Sequence, residues 1–234
     1  MRESLLSIDV YLASLDVDVD DRARYYDILD DRERARVERL RQPIDKDHYI
    51  VSHGMLREIL AHHTGEQAAS ITFRYGQFGK PYIGEPGPDR LQFNMSDSSG
   101  MLLVAVARGV EVGVDIERRR PMEYLKFARR FFTHAEASSL EALHDIDREP
   151  AFFRLWTAKE AYVKGWGYGI QRNVGKFEVR LTGARRELAR CSFDETAPGR
   201  WSLVGIPGID GYEATVAVER AGVDELSIRS WPAR

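Results

Sequence analysis

The stretch RGVEVGVDIE, residues 108–117, lies near the middle of the 234-residue chain, and similar patterns stand on its two sides. Residues 111–117 alternate in character from one position to the next, which predicts a strand. A strand, helices and short strands are predicted before this stretch, and the same order is predicted from it onward. The order of elements therefore predicts an α+β fold of two halves with similar element order, residues 1–108 and 109–234, with a cleft between them that suits a ligand.

The individual elements follow from hydrophobic spacing and from glycine, proline and aspartate at the breaks. The predicted strands are residues 7–15, 71–75, 91–95, 101–107, 111–117, 177–181, 201–205 and 212–218. The predicted helices are residues 32–41, 43–63, 122–132, 135–143 and 151–164. Four aspartates after the first strand, between Asp16 and Asp21, predict an acidic loop there.

Composition limits the classes of protein to which the chain can belong. It is 43% hydrophobic and 30% charged with a net charge of −3, which is typical of a soluble globular protein and argues against a general binder of nucleic acid or membranes. The single cysteine, Cys191, excludes a disulfide framework. The longest apolar run, Met101 to Ala107, is too short to span a bilayer, and the first residues lack a secretory signal pattern. We therefore expect a cytoplasmic protein.

The first chemical motif is Gly113-Val114-Asp115-Ile116-Glu117. On a strand, Asp115 and Glu117 point to the same face. Two neighbouring carboxylates repel each other unless a cation lies between them, and Mg²⁺ prefers such oxygen ligands. Alternatively, the two acids form ion pairs with the arginines at 118–120, and the motif alone does not decide between these interpretations.

The second motif is Trp156-Thr157-Ala158-Lys159-Glu160-Ala161-Tyr162-Val163-Lys164. Helical spacing places Trp156, Glu160 and Lys164 in one stripe. Trp156 would anchor the stripe, Glu160 could add a third carboxylate, and Lys164 could meet a phosphate oxygen. The competing interpretation is an ordinary Glu-Lys pair on a helix surface.

Taken together and in this order, the two motifs resemble the signature of the 4′-phosphopantetheinyl transferase superfamily, and in particular its surfactin-type (Sfp-type) branch. Shorter matches occur along most of the chain. They are residues 32–57, which resemble the first two helices of that family, Phe78 to Tyr82, Phe93 to Ser96 and Phe131 to Glu136. The resemblance implies the fold of that family, with the active site in the cleft between two pseudo-symmetric α+β halves.

The resemblance also implies a reaction and a set of site residues. The 4′-phosphopantetheine arm of coenzyme A would move to a serine of an apo acyl or peptidyl carrier protein, releasing adenosine 3′,5′-bisphosphate. Asp115, Glu117 and Glu160 would hold Mg²⁺, directly or through water, and Lys164 would contact the phosphates near the reacting phosphorus. Glu136 would be the general base, unless it is a solvated acid in the first turn of its helix.

The resemblance also implies four residues that bind coenzyme A. Arg36, Lys80 and Ser96 would receive the 3′-phosphate, with Arg57 as a neighbour. Lys80 stands between Gly79 and Pro81, where a rigid turn suits a phosphate. Arg36 has a simpler alternative as one more exposed charge. Asp97 stands where the family usually has histidine. Either an arginine offsets Asp97, or coenzyme A is held differently; a turn-forming aspartate is the simple alternative.

The expected partner is an acidic carrier protein, since six cations against one acid, Glu123, form a basic edge between residues 118 and 130. A solvated helix face is the competing interpretation. We expect a monomer, because both halves of the cleft belong to one chain, with no nucleic-acid or membrane partner. Two other functions stay open: a non-catalytic relative that binds coenzyme A or a carrier, and a magnesium-dependent nucleotide pyrophosphohydrolase.

Overall fold

Two series of elements follow each other along the computed structural model, which describes residues 8–85, 87–167, 174–223 and 226–231. The first series is β1 (Ile8–Ser14), α1 (Val19–Asp27), α2 (Asp31–Arg39), α3 (Pro43–Thr64), β2 (Arg74–Tyr75), β3 (Pro81–Tyr82), β4 (Leu91–Ser98) and β5 (Met101–Arg108). The second is β6 (Val112–Arg118), α4 (Tyr124–Phe131), α5 (His134–Glu141), α6 (Asp145–Trp166), β7 (Phe177–Thr182), β8 (Arg185–Cys191), α7 (Ala197–Arg200), β9 (Ser202–Gly205), β10 (Tyr212–Val218) and β11 (Ser227–Ser230). In both, a strand leads through two short helices into a helix of 22 residues.

The strands of the described residues form two main sheets and one small hairpin. The first sheet has the order β11-β1-β5-β4, in which β11 is parallel to β1 and the other pairs are antiparallel. The second sheet has the order β6-β10-β9-β8-β7 and is antiparallel. Strands β2 and β3 pair with each other. The last strand of the chain thus completes the sheet that the first strand begins.

An apolar layer joins the two sheets. It contains Ile8, Val10, Leu103, Ala105 and Ala107 of the first sheet and Val112, Val114, Ile116, Ala214, Val216 and Val218 of the second. The side chain of Asn94 on β4 also crosses between them, since its Oδ1 accepts a hydrogen bond of 2.9 Å from the backbone nitrogen of Val114 on β6. This packing places β4 beside β6 and so positions the site described below.

Each long helix covers one sheet. Helix α3 buries Met55, Ile59 and Leu60 in a core that includes Phe93 of β4. Helix α6 buries Phe152, Ala158 and Tyr162 in a second core that includes Phe177 of β7. Both helices end at a glycine with positive φ, Gly65 after α3 and Gly167 after α6, a conformation that glycine adopts without steric cost.

The prediction of an α+β fold is confirmed, while several element boundaries are corrected. The expected acidic loop is wrong: the side chain of Asp18 accepts from the backbone of Asp21, caps the helix, and allows α1 to form. Helix α6 begins at Asp145 instead of residue 151. Its first turns are polar, so hydrophobic spacing does not predict them. Strand β8 is rich in charged residues and β11 is only four residues long, and neither is among the predicted strands. The division at residues 108 and 109 stays a prediction.

In the part of the chain that the structure describes, every helix is too short or too polar to cross a membrane.

Candidate active site

The site begins with a close approach between β6 and α6. A Cβ atom placed on Gly113 would lie only 2.2 Å from both the carbonyl oxygen of Ala161 and the backbone nitrogen of Gly165. No side chain fits there, so the glycine of the strand motif allows the helix to touch the strand directly. The two motifs of the sequence therefore meet in space, although about forty residues separate them in the chain.

Asp115, Lys164 and Ser96 form the centre of the site. Lys164 Nζ donates to Asp115 Oδ1 over 2.7 Å and to Ser96 Oγ over 2.8 Å, and Ser96 Oγ donates to the same Asp115 oxygen over 3.0 Å. Asp115 is 4% exposed, and its Oδ2 is buried without a hydrogen-bond partner. Burial raises the pKa of Asp115, and the charge of Lys164 opposes that rise.

Glu117 lies on the same face of β6 as Asp115, as the alternation of the strand predicts. Its carboxylate accepts from Ser98 Oγ over 3.2 Å, from Trp156 Nε1 over 3.3 Å and from the guanidinium of Arg120 over 3.0 Å. Trp156 packs edge-on against Phe127, so it anchors the middle of α6 against α4. The alternative ion pair with an arginine is therefore present at Glu117, while the partner of Asp115 is Lys164.

Glu160 adds a third negative charge from α6. Burial, together with the carboxylates of Asp115 and Glu117, raises its pKa to about 7, while Lys164 partly opposes the rise. Nevertheless, among residues 8–85, 87–167, 174–223 and 226–231 no three His, Cys, Asp or Glu side chains are arranged so that they could hold a metal ion. The chemistry of the group still suits a cation, because three acids share one region and the buried Oδ2 of Asp115 has no donor.

Comparison with known proteins identifies the family. The family model described as "4'-phosphopantetheinyl transferase superfamily" matches residues 111–217, which include both motifs. The 4′-phosphopantetheinyl transferase HetI of Nostoc sp. (strain PCC 7120) is 34% identical over 94% of this chain and 91% of the relative. The chain belongs to the 4′-phosphopantetheinyl transferase superfamily.

Other relatives agree with this assignment. A 4′-phosphopantetheinyl transferase of Bacillus subtilis is 32% identical over 63% of this chain and 64% of the relative. The transferase Sfp of Bacillus subtilis (strain 168) is 27% identical over 68% of this chain and 69% of the relative. The resemblance to the surfactin-type branch is therefore confirmed, and the chain is an enzyme that transfers 4′-phosphopantetheine. These relatives support neither the non-catalytic alternative nor the pyrophosphohydrolase.

In this transferase Glu136 is part of a buried ion pair. Its Oε1 accepts from Lys159 Nζ over 2.6 Å and from the backbone nitrogen of Val179 over 2.7 Å, and its Oε2 accepts from the backbone nitrogen of Thr133 over 2.8 Å. Both side chains of the pair are at most 1% exposed. The alternative of a solvated acid is therefore wrong. The contacts give Glu136 a structural role, and its role as general base stays a prediction.

Arg57 is also buried among structural partners. Its guanidinium donates to Glu33 and Asp30, both over 2.7 Å, and to the carbonyl oxygens of Ala68 and Ile71. The side chain has no exposed surface. The pattern of the sequence gave no sign of this, because the four acceptors come from α2, its N-cap and the segment after α3. As placed, Arg57 is not available to a phosphate.

Arg36 is accessible to solvent, whereas Ser96 is buried. Arg36 is exposed on α2 and lines a pocket of about 430 Å³ with Tyr49, His53 and Phe93. Ser96 is buried and lies against Lys164 instead of in this pocket. The structure therefore places the predicted 3′-phosphate ligands in separate surroundings.

Asp97 lies inside β4, so the interpretation as a turn-forming aspartate is wrong. The turn consists of Ser99 and Gly100, both with positive φ. Asp97 is exposed at the surface of β4. Partial burial of its carboxyl raises the pKa, and the charges of His48 on α3 and of Lys164 oppose that rise. The offsetting charge thus comes from a histidine and a lysine, not from a neighbouring arginine.

Two further polar contacts were not predicted. Thr157 Oγ1 lies 2.9 Å from Thr215 Oγ1 in a fully buried contact between α6 and β10. Asn94, described above, crosses between the sheets. The Thr157 contact could have been suspected, because a threonine on the buried face of a helix needs a polar partner. Its partner in β10 could not have been named from the pattern of the sequence.

Proposed function

We propose that this transferase moves the 4′-phosphopantetheine group of coenzyme A onto a serine of an apo acyl or peptidyl carrier protein and releases adenosine 3′,5′-bisphosphate. The observation that carries the proposal is the meeting of Asp115, Ser96 and Lys164 where α6 touches β6. Here acids and an ammonium group lie together at the junction of both series of elements. Such a site suits the transfer of a phosphoryl group, which needs positioning and neutralisation of charge.

Magnesium is part of this proposal. Asp115, Glu117 and Glu160 would hold the ion, directly or through water, and water would complete the coordination because the three side chains as placed do not form a metal-binding group by themselves. Two observations support this: Asp115 Oδ2 is buried without a partner, and the pKa of Glu160 is raised to about 7 by burial next to two other carboxylates. The ion would neutralise charge on the pyrophosphate of coenzyme A.

Lys164 would bind a phosphate oxygen. Its ammonium group has three donors, and the contacts to Asp115 and Ser96 use two of them. The side chain is 28% exposed, so the remaining donor can reach a ligand. The serine oxygen of the carrier would form a bond to the β-phosphorus as the bond to adenosine bisphosphate breaks, and the hydroxyl proton would pass to a base. Glu136 remains the predicted base.

The nucleotide would bind on the side of α2 and α3. The pocket of about 430 Å³ has the cation of Arg36 at its edge and aromatic walls that include Tyr49, Phe73 and Tyr75. Arg32 lies over the Tyr75 ring at 3.8 Å from the centroid. Aromatic and guanidinium planes stack on bases, and guanidinium groups bind phosphate. The pocket therefore suits the adenosine 3′-phosphate part of coenzyme A.

The carrier would dock at the basic edge, which consists of Arg118, Arg119, Arg120, Lys126, Arg129 and Arg130. On α4 the Lys126 and Arg129 side chains are 81% and 64% exposed, and Phe131 is 39% exposed beside them. Exposed cations around an aromatic side chain suit an acidic partner. A monomer, a cytoplasmic location and the absence of nucleic-acid and membrane partners stay predictions.

Intact-mass spectrometry tests the proposed function. Several apo carrier proteins are incubated with the enzyme, coenzyme A and Mg²⁺, with a chelator in a parallel sample. We expect a mass gain of one phosphopantetheine group that disappears with the chelator. Coenzyme A that binds without any gain on a carrier would contradict the proposed reaction, and coenzyme A cleaved without a carrier would favour a pyrophosphohydrolase.

A further inference from the structure

Lys80 lies directly before β3, in the segment that joins β2 to β3. Its contacts differ from those that the resemblance to the family predicts. Its Nζ donates to Glu111 Oε2 over 2.8 Å, to the carbonyl oxygen of Val112 over 3.1 Å and to the carbonyl oxygen of Gly165 over 2.8 Å. A lysine ammonium has three donors. All three are used by protein acceptors, so none is left for a phosphate.

The acceptors lie on both sides of the contact between β6 and α6. Val112 begins β6 and precedes Gly113, while Gly165 is the residue of α6 whose backbone nitrogen touches Gly113. The ammonium group of Lys80 therefore bridges the strand and the helix at their closest approach. It also lies at the C-terminal end of α6, where carbonyl oxygens lack helical partners and a cation is favoured.

The side chain of Lys80 is enclosed as well as saturated. It is 17% exposed, and burial lowers its pKa while Glu111 opposes that change. Its Cδ lies close to the left-handed Gly167 that ends α6: a Cβ there would be 3.0 Å away. A side chain held along its length and at its tip has little freedom to turn toward a ligand.

We propose that Lys80 is a positioning residue, which fixes the end of α6 against the start of β6 and thereby holds Lys164 at Asp115. Lys164 directly precedes Gly165, and Asp115 lies three residues after Val112 on the same strand. Lys80 belongs to the first series of elements, so the bridge also couples the two series. This inference rests on the proposed function, because it assigns a role in that same site, and it replaces the predicted role of Lys80 as a 3′-phosphate ligand.

Three variants separate positioning from phosphate binding. Lys80→Met removes the ammonium group and keeps most of the stem. Glu111→Gln weakens the bridge and retains both carbonyl contacts, so it serves if Lys80→Met does not fold. Arg90→Met is the matched control, since a guanidinium nitrogen of Arg90 also lies near Glu111, at 3.6 Å, whereas the carbonyl oxygens of Val112 and Gly165 accept from Lys80.

Hydrogen–deuterium exchange on the ligand-free proteins gives a readout independent of activity. We expect faster exchange in segments 112–117 and 160–167 for Lys80→Met, a smaller increase for Glu111→Gln and none for Arg90→Met. Carrier loading by Lys80→Met should show kcat lowered by ~100-fold, the cost of misplacing a reacting group by about 1 Å. The KM for coenzyme A and the Kd for adenosine 3′,5′-bisphosphate by calorimetry should each stay within about threefold of wild type.

A Kd raised by about tenfold or more in Lys80→Met would overturn the inference and restore the phosphate role. Unchanged exchange in the two segments would also overturn the inference. Faster exchange with an unchanged kcat would overturn it as well, because Lys80 would then stabilise the fold without positioning the site. If the wild-type enzyme loads no carrier, the proposed function fails, and the exchange and calorimetry still decide whether Lys80 bridges the elements or binds phosphate.

Discussion

Lys164 on helix α6 contacts Asp115 on strand β6 over 2.7 Å, and this contact joins the two motifs of the chain into one site. It is possible because Gly113 and Gly165 let the backbones of the two elements touch. The chemistry of the site therefore depends on a backbone distance, and small changes in that distance should affect activity.

Gly113→Ala should disrupt the site through this distance. The added Cβ would meet two backbone atoms at 2.2 Å, and backbone cannot turn aside as a flexible side chain can. We expect an unfolding free energy lower by about 1–3 kcal/mol, the usual cost of overpacking, and carrier loading lowered by ~100-fold. Urea unfolding and single-turnover carrier loading measure the two effects.

Gly199→Ala is the control for that change, because nothing lies within 4 Å of a Cβ at Gly199. It should leave both stability and loading near wild type. If Gly113→Ala behaved like this control, the close approach of α6 and β6 would not determine the geometry of the site.

Asp115→Asn should separate activity from stability. The amide keeps an acceptor for Lys164 and Ser96 but removes a buried charge whose Oδ2 has no partner. We expect carrier loading to fall by at least ~100-fold, as on removal of an electrostatic group. The unfolding free energy should stay unchanged or rise by about 1 kcal/mol, because active-site residues are often kept for activity at the expense of stability.

Thermal unfolding with and without Mg²⁺ tests the metal part of this expectation. A ligand that binds only the folded state raises Tm with its concentration. We expect Mg²⁺ to raise the Tm of the wild-type protein and to have a much smaller effect on Asp115→Asn. An equal increase in both proteins would contradict the assignment of Asp115 as a ligand.

Local pattern was sufficient for the motifs that define the site. Alternation on β6 placed Asp115 and Glu117 on one face, and helical spacing placed Trp156 and Lys164 in one stripe, so the elements carrying the site were predicted correctly. Helix α1 was missed because its stability comes from the Asp18 cap and from packing of Tyr25, not from apolar spacing. Propensity and spacing are weak guides where tertiary packing decides.

The partners of buried cations were not readable from the sequence. Lys80 donates to residues 31, 32 and 85 positions away, and Arg57 pairs with Glu33, 24 positions away. No feature of the neighbouring sequence distinguishes such a lysine from one that binds a phosphate, because the difference lies in which elements fold against it. Whether the lysine can bind a phosphate depends on how many of its N–H donors already bind protein acceptors, and only the structure shows that number.

The ion pair of Lys159 and Glu136 should contribute strongly to stability. Burial lowers the pKa of Lys159, and Glu136 opposes that change. Glu136→Gln would leave the lysine charge buried without its partner, so we expect a loss of about 3–5 kcal/mol in unfolding free energy. Lys126→Met, in the exposed pair with Glu123, should cost at most about 1 kcal/mol.

The double variant Glu136→Gln/Lys159→Met tests the predicted general base as well. Removing both charges should recover part of the stability, and a double-mutant cycle measures the coupling. If the pair is structural, carrier loading per folded molecule should recover with stability. A loss of ~100- to 10,000-fold that persists in the folded double variant would instead support Glu136 as the base.

His53 should make stability depend on pH in the acidic range. Burial lowers its pKa to about 4, the nearby charge of Arg57 acts in the same direction, and the hydrogen bond to the Tyr49 carbonyl and the charge of Asp30 oppose the change. The unfolded chain, with a pKa near 6.5, therefore binds this proton more readily than the folded protein does. The stabilising effect of a neutral His53 is complete above about pH 6.5 and is lost as the pH falls toward about 4, by up to ~1.4 kcal/mol per pH unit. Urea unfolding at pH 5 and pH 7.5 should show a smaller difference in unfolding free energy between the two pH values for His53→Gln than for wild type. His62→Gln, which changes an exposed histidine, is the control and should keep the wild-type difference. The same difference in all three proteins would show that His53 does not titrate with the predicted pKa.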